Sequence, residues 1–167
     1  MVPNTMVVLV ENQPGVLARV AGLFARRGFN IESLTVGATP DPALARLTIQ
    51  VAGDDHTVEQ VAKQLNKLIN VLKVRELDPA GTLVRELALV KIKPAAERRA
   101  EALHVAEIFR ANVVDVGRQT LVVEITGDQE KVAAFLELMR DFGIVDVART
   151  GAVAMERGAR ASVRAAV

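Results

Sequence analysis

The amino-acid sequence predicts an α+β fold made of two ferredoxin-like βαββαβ units in tandem, and three observations carry the prediction. Apolar residues switch between strand-like and helical spacing in the order strand, helix, strand, strand, helix, strand over residues 6–77. The same order begins again after the turn-rich stretch Asp78 to Thr82. Finally, QVAGDDHTVEQVAKQL (50–65) aligns with EITGDQEKVAAFLELM (124–139). Each ends a strand with Gly-Asp and launches a helix with apolar residues at matched spacing, which reads as an internal duplication.

Taken in order, Met6 to Val10 is a continuous apolar run bounded by a turn signal, as expected of a central strand buried on both faces. Leu17, Val20, Ala21 and Phe24 then recur at i, i+3, i+4 and i+7, one face of a helix. Arg26 and Arg27 near the negative end of its dipole and Gly28 as a left-handed stop close that helix. FNIESLTVGATP reads as the second strand, DPAL as a turn, and ARLTIQVAG as a third strand in which Leu47, Ile49 and Val51 alternate with Thr48 and Gln50. GDD caps a helix carrying Val58, Val61, Ala62, Leu65 and Leu68, and INVLKVREL completes the unit.

The second unit reads as the strand LVRELALVKIK ended by Pro94, the helix AAERRAEALHVAEIFR, strands NVVDVG and TLVVEITG, the helix DQEKVAAFLELMRDFG and the strand IVDVART. The tail AMERGARASVRAAV has little periodic apolar content. The expected domains are therefore residues 1–78, residues 79–155 and a flexible tail over 156–167.

Composition narrows the function classes. Lysine and arginine total 21 against 20 for aspartate and glutamate, so no net field draws in nucleic acid or an anionic membrane. With no cysteine, disulfides, thiolate metal sites and cysteine nucleophiles are excluded. No secretory signal or bilayer-length apolar run is present, which points to a soluble, cytoplasmic protein. His56 and His104 fall on helices without a ligand cluster, and no phosphate loop, dinucleotide fingerprint, zinc motif or nucleophile elbow occurs. Aromatic residues are 3%, too few for the base-stacking mode in which this fold binds RNA. No catalytic or metal-ligating residues are expected.

The break ENQPG between the first strand and helix is the candidate site. As a plain turn, it places Pro14 at an early helix position and lets Gly15 take a tight geometry. As a ligand site, it offers the unpaired N–H groups of Gly15, Val16 and Leu17 to a small carboxylate and the amide oxygen of Asn12 to an ammonium group. Asn30, at the other end of the helix, reads alone as a helix-exit residue. Asn12 and Asn30 line one pocket only if a second copy supplies the other end, so a site between subunits is the geometric expectation.

LVENQPGVLARVAGLFARRGFNIESLTVGATPDPALARLTIQVAGDD, KQLNKLINVLKVREL, RELALVKIK and EIFRANVVDVG together resemble the regulatory (small) subunit of acetolactate synthase, also called acetohydroxyacid synthase, along nearly the whole chain. The resemblance implies an N-terminal ACT domain that pairs across a homodimer and binds a branched-chain amino acid, usually valine, between subunits. It assigns the loop positions to Asn12, Gln13, Pro14, Gly15, Val16 and Leu17 and the partner positions to Asn30 and Ile31. It also implies that catalysis belongs to a separate large subunit using thiamine diphosphate, magnesium and FAD, with no cofactor bound by this chain. Two alternatives stand beside a valine-sensing subunit. One is an activating subunit without ligand sensitivity, and the other a stand-alone amino-acid sensor acting in transcription, which the missing helix-turn-helix and basic patch disfavour.

Overall fold

A computed structural model describes residues 4–158. The contacts divide them into two compact units, one running to Leu83 and taking in the chain again from Ala152, the other spanning Val84–Gly151. These bounds differ from the 78/79 and 155/156 divisions read from the sequence.

The first unit comprises β1 (Asn4–Glu11), α1 (Val16–Arg27), β2 (Ile31–Ala38), β3 (Leu44–Val51), α2 (Asp55–Leu65) and β4 (Val71–Glu76). Its antiparallel sheet has the order β2-β3-β1-β4. β1 pairs on both sides, with Val8 opposite Leu47 and Val74. Met6, Val8 and Val10 join the helix-side core, while Val7 and Leu9 point to the other face and are buried as well. The strand is thus buried on both faces, as its unbroken apolar run requires.

Two details differ from the sequence reading. The buried stripe of α1 is Val16, Val20, Leu23 and Phe24, and Leu17 is 46% exposed. Both stripes share Val20 and Phe24 and both fit a period of 3.6. Packing selects the phase that buries Leu23 in place of the smaller Ala21, because burial free energy scales with apolar area. In β3, Thr48 and Gln50 are buried along with the apolar residues they alternate with.

On the face that Thr48 and Gln50 share with Arg46, the C-terminal chain returns as a further strand, Val153–Glu156. The Ala152 N–H donates to Ser33 Oγ at 2.9 Å, Arg46 Nη2 donates to the Ala154 carbonyl at 2.6 Å, and Arg75 pairs with Glu156 at 3.1 Å. Burial lowers the pKa of the Arg46 guanidinium. Ala154 and Met155, assigned above to the end of the second domain, and Glu156, assigned to the flexible tail, are therefore part of the first unit. Ala152 and Ala154 are both buried, yet two alanines carry almost no apolar signal in the sequence. The rest of the expected tail, residues 159–167, lies outside the described residues.

The second unit repeats the plan with β5 (Thr82–Ile92), α3 (Arg99–Ile108), β6 (Asn112–Val116), β7 (Leu121–Gly127), α4 (Gln129–Arg140) and β8 (Ile144–Arg149), so the C-terminal strand becomes β9. The strand order is β6-β7-β5-β8, again second, third, first, fourth and antiparallel. α3 starts later than the sequence suggests, because Ala96–Arg98 forms a 3-10 turn after Pro94. Phe135 lies edge-on to Phe109 at 5.4 Å in its core.

The duplicated Gly-Asp has one physical cause in both units. Asp54 Oδ1 accepts from the Thr57 N–H at 2.9 Å and Asp128 Oδ1 from the Lys131 N–H at 2.8 Å. A Cβ on Gly53 or Gly127 would lie 2.7 or 2.6 Å from the side chain four positions on, so glycine precedes each cap. The Thr57 hydroxyl and N–H hold the Asp54 carboxyl below its ordinary value. A depressed folded-state pKa adds stability above the unfolded value of about 3.9 and loses it as pH falls through the folded one. Asp54→Asn should therefore flatten the decline of the urea midpoint between about pH 5 and 3. An unchanged slope would show that the cap titrates alike in the folded and unfolded chain.

Candidate functional site

The loop between β1 and α1 is built from a turn rather than from the helix itself. The Val16 N–H reaches back to the Gln13 carbonyl at 3.4 Å, and Gly15 has φ 86° and ψ −13°. Gln13-Pro14-Gly15-Val16 is thus a type II turn, with proline at the second position and a left-handed glycine at the third. Pro14 precedes the helix instead of opening it, because the turn places the N-cap at Gly15.

This start differs from those of α2 and α4. No side-chain hydrogen bond caps α1, nor α3, among the described residues, whereas α2 and α4 each carry a capping aspartate. Its first-turn N–H groups beyond Val16, with the positive end of the helix dipole, lie next to a glycine with nothing within 4 Å of where its Cβ would be. A carboxylate fits such a site, since it supplies the acceptor that the missing cap does not.

The predicted residues fall into three groups. Asn12, Gln13, Pro14, Gly15 and Leu17 are exposed around the loop. Val16 is adjacent but turns its side chain into the core and uses its N–H to close the turn, so Leu17 and Ala18 supply the remaining first-turn N–H groups. Asn30 is exposed and Ile31 partly buried at the far end of α1. With 12 residues at 1.5 Å each, the helix separates the two ends by about 18 Å. A single chain does not bring Asn12 and Asn30 together.

Asn12 is fixed from outside the loop. Its N–H donates to the Ala43 carbonyl at 2.7 Å and its Nδ2 to the Pro42 carbonyl at 3.0 Å, which aims its amide oxygen as the remaining acceptor. Sequence reasoning did not find these two carbonyls, nor Glu11, Arg19 and Asn70 on the other flank. Backbone partners from a distant turn leave no residue-type signal.

Residues 6–73 match the model of the acetohydroxyacid synthase small subunit-like ACT domain, and residues 85–158 that of the small subunit of acetolactate synthase. The chain belongs to the acetolactate synthase small-subunit family. The first match spans all eight candidate positions, and the second runs through β9. Over 163 residues, 96% of this chain and 97% of the relative, it is 56% identical to a probable acetolactate synthase small subunit of Methanothermobacter thermautotrophicus. It is 50% identical over 157 residues to the acetolactate synthase small subunit of Mycobacterium bovis, covering 94% of each. The crystal structure of the acetolactate synthase small subunit from Thermotoga maritima superposes with a TM-score of 0.89 at 45% identity, covering 96% of this chain and 100% of that one. The two ferredoxin-like units, the first an ACT domain, are thus the family's own architecture. Among the described residues of this family member, no three His, Cys, Asp or Glu side chains gather as a metal site. None of its described helices is long and apolar enough to cross a membrane.

Proposed function

We propose that this chain is the non-catalytic regulatory subunit of acetolactate synthase. In this reading it activates a separate large subunit and makes it sensitive to valine in branched-chain amino acid biosynthesis. The observation that carries the reading is the uncapped start of α1 beside left-handed Gly15. It is suited to an amino acid's carboxylate, with the Asn12 oxygen suited to its ammonium group.

The sheet geometry supports a homodimeric site. β2 is an outer strand of its sheet, and its end at Ala38 pairs with Ala45, next to Leu44, which pairs with Glu11 at the loop. Antiparallel pairing of β2 with its copy about a two-fold axis places Asn30 and Ile31 of one subunit toward the Ala38 end, and so the loop, of the other. Thiamine diphosphate, magnesium and FAD belong to the large subunit in this reading, and this chain holds none of them.

Linkage supplies the regulation. Valine inhibits if it binds more tightly to the less active arrangement of the complex, by the ratio of its two affinities. Two measurements test this. Calorimetric titration of the purified chain with valine should saturate, and mixing with the large subunit should raise acetolactate formation in a way that added valine reverses. Activation without valine sensitivity would leave a purely activating subunit. Absence of activation would overturn the whole reading.

A further inference from the structure

We infer that Asn70 is a positioning residue for the effector loop, an inference that rests on the ligand reading above. Asn70 stands just before β4, outside every segment assigned to the ligand, yet it ties the two ends of the loop together. Its Oδ1 accepts from Arg19 Nη1 on α1, its Nδ2 donates to Glu11 Oε2 at the end of β1 at 2.6 Å, and its carbonyl accepts the Glu11 N–H at 2.9 Å.

An amide carries both an acceptor and donors, so it bridges an acid and a base that flank the loop. Both side-chain bonds are charge-assisted and so stronger than neutral ones. Glu11 precedes the type II turn and Arg19 follows it on the helix, whose own N–H binds the Gly15 carbonyl at 3.0 Å. With the hairpin carbonyls of Pro42 and Ala43 holding Asn12 from the other flank, the loop is ordered before any ligand arrives. Ordering done at folding is not repeated at binding, which raises affinity without a contact to the ligand. The bridge also engages the Glu11 carboxylate, the negative charge nearest in sequence to a site meant for a carboxylate.

The test exchanges donor and acceptor across the bridge. Asn70→Asp removes the donor and sets a carboxylate against Glu11. In Asn70→Asp with Glu11→Gln, an amide at position 11 donates to the new carboxylate, which still accepts from Arg19, and the net charge returns to that of the natural chain. In the full chain, calorimetry with valine should show about tenfold weaker binding for N70D and recovery to within about threefold for the double variant. Hydrogen exchange at residues 12–17, measured without valine, should be faster in N70D and restored in the double variant. A generally destabilised fold would not recover in this way. Unaltered exchange in N70D, or a double variant no better than N70D, overturns the inference. If the natural chain gives no heat with valine while exchange follows the expected pattern, the ligand reading fails and the bridge as the loop's organiser stands.

Discussion

Gly15→Asp should weaken valine binding at least about a hundredfold, a loss of about 2.7 kcal/mol, while leaving the chain folded. Two effects combine. The new carboxylate adds a negative charge at the start of α1, which repels the ligand's own carboxylate and competes with it for the positive end of the helix dipole. A side chain at φ 86° also carries roughly 1–2 kcal/mol of backbone strain. The Cβ itself meets no atom within 4 Å, so no packing is lost. Gly15→Ala separates the effects, because it keeps the strain without the charge and should weaken valine less than about tenfold. Calorimetric titration and urea unfolding of both variants read the two quantities. Equal affinities for the Ala and Asp variants would mean that the helix start does not meet the carboxylate.

Phe24→Ala should cost about 3–5 kcal/mol of stability, near the top of the range for a single substitution. Phe24 is 1% exposed and meets Phe29 edge-on at 6.3 Å. It anchors the C-terminal half of α1 to the sheet, with Val16, Val20 and Leu23 on the same stripe. Removing the ring leaves a cavity that a two-layer sandwich closes only in part. The urea midpoint should fall, and Phe24→Leu should recover much of the loss by refilling the space. A loss under about 1 kcal/mol would show that α1 repacks freely and does not hold the loop rigidly.

How far the sequence reached can be seen at three places. The run Met6–Val10 was legible as a central strand because a strand buried on both faces has no polar positions. The helix starts at Asp54 and Asp128 were legible because capping is local chemistry within four residues. The loop was legible as a turn before a helix, and its reading as a ligand site came from the resemblance to a family and is part of the proposed function. Its type II geometry, with Pro14 ahead of the helix, follows from a carbonyl–amide bond that several local conformations of the same residues would also permit.

Element order, the duplicated plan and the family were determined by the sequence alone, because period, caps and breakers act within a few residues. The phase of α1, the burial of Thr48 and Gln50, the return of β9 to the first unit and the bridge through Asn70 were decided only by tertiary structure. Each depends on which residues distant in sequence meet. Ala152 donates to Ser33 and Glu11 binds Asn70, and nothing in the local spacing of either pair distinguishes it from ordinary surface residues.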